Sequence, residues 1–147
     1  MPLRCLAALL LTLAPLAAQA GDIVIEDSYA RAATPIARSG AAYMVIRNTG
    51  SEDDRLIGVN TPMAEVAQLH THVMEGGGVM RMRPAPDGFA VPAGGTALLE
   101  RGGDHVMLMG LTEAMQDGSS FEMTLTFEHA GQMTIEVPVD MKRMPDG

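Results

Sequence analysis

From residue 23 onward the chain alternates short apolar or apolar–polar runs with clusters of Gly, Pro, Asn and Asp. A period of two over such short runs predicts strands, not helices. The runs place strands at 23–32, 41–48, 55–60, 65–74, 79–83, 88–91, 96–100, 105–110, 120–127 and 132–139. Turns fit at Asn48–Ser51, Glu75–Gly78, Asp87-Gly88, Pro92–Gly95, Arg101–Asp104, Asp117-Gly118 and Ala130-Gly131, where the residue types tolerate positive φ or bond locally to the backbone. One helical turn is expected at the start of Thr61–Gln68, because Pro62 suits early helix geometry. Many short strands at regular spacing predict an all-β sandwich or barrel. No internal repeat or linker divides the chain, so residues 21–147 form a single domain, with a frayed polar tail at 140–147.

The first twenty residues break the pattern. A basic start at Arg4, a leucine/alanine run and Ala18-Gln19-Ala20 read as a secretory signal peptide, with cleavage after Ala20. The run is too short and wrongly flanked to span a bilayer, and no later segment qualifies. Export to the periplasm or outside the cell is therefore expected. Cleavage also removes Cys5, the one cysteine, and leaves neither disulfide nor thiolate.

Charge narrows the choice of partner. Without Arg4, nine basic residues face eighteen acidic ones. That balance argues against nucleic acid, which needs a basic footprint, and favours solubility and cations.

Methionine changes the picture most. Twelve of the thirteen methionines follow residue 20, in a chain without tryptophan. Any one of them is more often core packing than ligand, and Met44, Met115, Met123 and Met133, within or beside apolar strands, are assigned to the core. His129, beside Ala130-Gly131, reads as an exposed turn residue. Three other segments group both residue types: His70-Thr71-His72-Val73-Met74, Met80-Arg81-Met82 and His105-Val106-Met107-Leu108-Met109. Residues two apart share a strand face, so His105 and Met107 can reach one ion while Val106 and Leu108 enter the core. The first two segments flank a glycine loop and can pair as a hairpin. One register sets His70 against Met82 and His72 against Met80; the other sets His72 against Met82.

Imidazoles and thioethers together suit Cu(I), because thioethers bind zinc, magnesium or calcium poorly. A blue-copper centre needs a cysteine thiolate, which the mature chain lacks. The reading from residues is a Cu(I)-binding protein that is not an enzyme. A copper-dependent enzyme and a metal-free immunoglobulin-like interaction domain are the alternatives.

On these segments, with Val91-Pro92-Ala93-Gly94-Gly95-Thr96, the sequence resembles the PCu(A)C family of periplasmic copper chaperones. The family's pattern is His, ten residues, Met, twenty-one residues, then His-x-Met. It maps onto His70, Met82, His105 and Met107 with one extra residue in each interval. The glycine loop and Pro84–Phe89 can absorb them, and His72 and Met80 stand as alternates for His70 and Met82. The resemblance implies a cupredoxin-like β-sandwich that binds Cu(I); apart from it, Met141–Met144 or the new amino terminus at Gly21 are candidate sites for Cu(II). The resemblance also implies delivery to the binuclear copper centre of cytochrome c oxidase, directly through its copper-receiving subunit or by relay to another copper chaperone. A carrier's site should be shallow, so that the ion can leave.

Overall fold

The computed structural model describes residues 19–143. Eleven strands form two antiparallel sheets. They are β1 (Gln19–Ala20), β2 (Ile23–Arg31), β3 (Ser39–Asn48), β4 (Asp54–Asn60), β5 (Ala64–Glu75), β6 (Val79–Pro84), β7 (Phe89–Val91), β8 (Thr96–Leu99), β9 (His105–Leu111), β10 (Ser120–Phe127) and β11 (Gly131–Pro138). The larger sheet runs β1-β2-β3-β9-β5-β6 and the smaller β11-β10-β4-β7. One edge of β3 is shared: residues 39–42 pair with β9, and residues 44–47 pair with β8. This is the sandwich that the alternation predicts, and ten of its strands fall within two residues of the expected bounds. Among the described residues no helix is long and apolar enough to cross a membrane.

Strand parity sorts the side chains. Ala42, Met44 and Ile46 of β3 and Val106 and Leu108 of β9 point into the core. They meet Met123, Leu125 and Phe127 of β10 and Met133, Ile135 and Val137 of β11 in one cluster. Burying each larger apolar side chain contributes about 1.5–3 kcal/mol. Met44, Met115, Met123 and Met133 are core residues, Met115 from the loop between β9 and β10 and the others from their strands. His129 is exposed in the β10–β11 turn.

Two expectations change. Thr61–Gln68 contains no helical turn: Pro62-Met63 is a brief turn and β5 begins at Ala64. The Thr61 hydroxyl accepts from the Met63 amide at 3.2 Å, and Thr112 N donates to the Met63 carbonyl at 2.9 Å. Those bonds replace the ones a helix would supply. The tail is anchored as far as Arg143. Asp140 N donates to the Ala30 carbonyl, the Asp117 carboxylate accepts from Met141 N, and Arg143 pairs with Asp27 while lying 4.1 Å over the Tyr29 ring. Gln19 and Ala20, which the sequence reading places at the end of the leader, pair with Val24 and Ile23. The rest of that leader and residues 144–147 lie outside the described residues.

The β5–β6 hairpin carries two of the three histidine–methionine segments. β5 continues to Glu75 and β6 is the edge strand, exposed along its whole length. Gly77 and Gly78 have φ of 86° and 77°, which allows the three-residue turn between Glu75 and Val79.

Candidate metal centre

The outer face of the larger sheet carries every residue of the three histidine–methionine segments that shares parity with His105. In β9, Val106 and Leu108 fill the core, so His105, Met107 and Met109 face outward. His70 is the register partner of His105 across β5–β9, and Gln68 is that of Met107. Across β5–β6 the pairs are His70–Pro84, His72–Met82 and Met74–Met80. The hairpin therefore takes the register that opposes His72 to Met82, and Met82 lies diagonally from His70.

The backbone around Gly103 fixes the imidazoles. Glu100 N donates to the Asp104 carbonyl at 2.9 Å and Gly103 N to the Glu100 carbonyl at 3.0 Å, which closes the turn before β9. Gly102 holds φ 86° within it. The Thr71 hydroxyl donates to the Asp104 carboxylate at 2.7 Å and ties this turn to β5. The Gly103 carbonyl then accepts from His105 Nδ1 and from His72 Nδ1, each at 2.9 Å. A carbonyl oxygen only accepts, and it has two lone pairs. Both rings thus carry their proton on Nδ1, and in the neutral imidazole Nε2 presents a lone pair.

His105 Nε2 lies 3.2 Å from Met82 Sδ. Neither atom brings a proton to that contact, so two electron-pair donors face each other. Ligands at bond lengths of about 2.0 Å for nitrogen and 2.3 Å for sulfur span a comparable edge. Burial pulls the His105 imidazole below its ordinary range; the Gly103 carbonyl pushes back, and His72 lowers it further. This shift favours the neutral ring, the form whose Nε2 can ligate. His70 is lowered by burial and by His105. Its Nε2 lies 3.1 Å from Gln68 Oε1, and its Nδ1 is buried with no partner, alone in that respect among the described side chains. With Nε2–H donating to the Gln68 amide oxygen, His70 Nδ1 holds an unsatisfied lone pair, a costly arrangement unless something else meets it.

Ring centroids of His72 and His70 lie 5.4 and 5.9 Å from that of His105. Tyr43 stands beside His105 at 6.2 Å. His72, Met82, His105 and Met107 line one open cleft of about 480 Å³, with Tyr43, Arg31 and Arg101 in its walls. His105 is only 3% exposed whereas Met82 is 47% exposed. One donor is buried and rigid and the other reaches into solvent, so the site is shallow on the hairpin side.

The structure thus brings Met82, His105 and Met107 together with His72, and sets His70 next to His105. Met80 does not join the cleft: it pairs with Met74 nearer the hairpin tip. Among the described residues no three His, Cys, Asp or Glu side chains converge on a metal position. The donors gathered in the cleft are imidazole nitrogens and methionine sulfurs, a set that suits a soft cation. Sequence reading missed the Gly103 carbonyl, the Thr71 clamp and Tyr43. The signal for the first was the Gly102-Gly103 turn two residues before His105.

Residues 23–139 match the family described as "Putative lipoprotein LpqE-like". The chain is 35% identical over 123 residues to the "Putative lipoprotein Lxx21020" of Leifsonia xyli subsp. xyli (strain CTCB07), covering 82% of this chain and 71% of that one. Among solved structures it is similar to the copper-bound PCuAC domain from PmoF2, at TM-score 0.70 and 28% identity over 86% of this chain and 98% of that one. It is also similar to the solution structure of CuI-DR1885 from Deinococcus radiodurans, at TM-score 0.62 and 33% identity over 80% and 79% of the two chains. These likenesses bear out the cupredoxin-like class of sandwich.

Proposed function

The chain belongs to the LpqE-like family, and from that premise we propose that it is an exported, non-enzymatic carrier of Cu(I). The observation that carries the reading is the 3.2 Å approach of His105 Nε2 to Met82 Sδ, with the His105 proton held on Nδ1 by Gly103. His70, Met82, His105 and Met107 are the ligands. The buried, unpartnered Nδ1 of His70 supports its place in the set. His72 lines the same cleft, and that favours a second reading in which it replaces His70. The imidazoles also offer nitrogen donors to Cu(II).

Copper is cargo in this reading. The core-facing residues of β9 hold His105 in place. Met82, on an exposed edge strand, can swing away while an acceptor's ligand takes its position. Ligand exchange then passes the ion on without leaving it bare. Delivery to the binuclear copper centre of cytochrome c oxidase, directly or through another chaperone, is the destination we propose. Copper-bound domains among the similar structures support the cargo. The lipoprotein description of the relative supports an exported protein, and with it the periplasmic or secreted location.

X-ray absorption on the anaerobically loaded Cu(I) protein tests the reading. Mixed nitrogen and sulfur neighbours are expected, with at least one methionine sulfur. An all-nitrogen or all-oxygen shell, or Cu(I) affinity unchanged in a His105→Ala/Met107→Ala double variant, refutes it.

A further inference from the structure

Met74 and Met80 face each other across β5–β6, one step beyond the His72–Met82 pair on the same sheet face. They are 65% and 50% exposed. Added side-chain bulk at Gly76, Gly77 or Gly78 would meet nothing within 4 Å, so the hairpin tip is open around them. Exposed thioethers on a projecting hairpin could simply be solvated side chains. The distribution of charge argues otherwise. Arg81 and Arg83 both pair with Glu75, and these three residues have the opposite parity. All the charge of this hairpin end lies on one face. The other face presents only His72, Met74, Met80 and Met82, imidazole and thioether donors of borderline or soft character.

We propose that Met74 and Met80 form a second, weaker Cu(I) station through which the ion enters and leaves the main site. The inference rests on the Cu(I)-carrier reading and extends it. Successive pairs on one face lie about 7 Å apart along a strand, a gap that flexible methionine side chains can close. Two thioethers leave Cu(I) undercoordinated, so the station holds the ion only while a donor, an acceptor or Met82 supplies a further ligand. The copper stays Cu(I) throughout. A bond to Met74 or Met80 sulfur forms as a bond to the outgoing ligand breaks, and no proton or electron moves.

The test is anaerobic Cu(I) titration of protein labelled with ¹³C at the methionine methyls, followed by transfer to a small Cu(I) chelator. In the first equivalent the Met82 and Met107 methyls shift. In the second, the Met74 and Met80 methyls shift together. A Met74→Leu/Met80→Leu variant keeps the first event with unchanged affinity, loses the second, and hands copper to the chelator several-fold more slowly. Met74 and Met80 methyls that stay put at every ratio, or wild-type transfer by the double variant, overturn the station and leave the main site standing. Absence of any shift at Met82 and Met107 overturns both.

Discussion

His72 and His105 donate to the same oxygen, the Gly103 carbonyl, each at 2.9 Å. One come from β5 and the other from β9, so a single backbone atom ties two strands' imidazoles into matching tautomers. The carbonyl itself is held by the turn that Thr71 and Asp104 clamp. Neither ring can turn its Nε2 away without losing that bond, and the cleft is set before any ion arrives.

This arrangement predicts different roles for the two histidines of β5. His70→Ala should lower Cu(I) affinity by more than about 100-fold, whereas His72→Ala should lower it by less, within the about 10–100-fold that loss of a group which only orients a ligand costs. Competition against a calibrated Cu(I) chelator reads both. The opposite order moves the site one pair toward the hairpin tip and makes His72 the ligand.

Gly102→Ala should weaken copper binding without touching a donor atom. Its φ of 86° penalises a side chain, by about 1–2 kcal/mol, although the space around it is open. Relief of that strain shifts the Gly103 carbonyl and loosens both imidazoles. Affinity should fall by about 10-fold, with melting temperature lowered by roughly 3–10 °C. Unchanged affinity would show that the shared carbonyl does not position the site.

Parity along β9 separates binding from stability. Leu108→Ala, in the core, should cost about 2–5 kcal/mol in denaturant unfolding and leave Cu(I) affinity in the folded protein nearly unchanged. Met107→Leu keeps the volume and removes the sulfur, so it should do the reverse. Equal effects of the two substitutions on either quantity would contradict the facing assigned to them.

Asp54 should make the fold acid-sensitive far from the copper face. Burial alone would raise its carboxyl, but the amides of His129, Arg55 and Ala130 outweigh burial and hold it below the ordinary carboxylate range. A depressed carboxyl contributes its stability fully above the unfolded value and loses it as pH falls through the folded one. Urea midpoints measured between about pH 3 and 7 should fall on acidification more in the wild type than in Asp54→Asn, which should itself be about 1–3 kcal/mol less stable at neutral pH. Parallel curves would exclude Asp54 as the source.

The sequence by itself determined the strands, the turns and the split between core and outward methionines. Those features are local: alternation, glycine at positive φ and β-branched or apolar runs act within a few residues. It also determined that His105 and Met107 share a face while Val106 and Leu108 do not, since strand parity needs no partner. Tertiary structure alone decided the hairpin register, because either pairing places histidines and methionines on one face and the glycine loop admits both. It alone brought β9 beside β5, which sets His70 against His105. It alone aimed the Gly103 carbonyl at two rings from different strands. Those are long-range pairings, fixed by the packing of two sheets rather than by the spacing of residues along the chain.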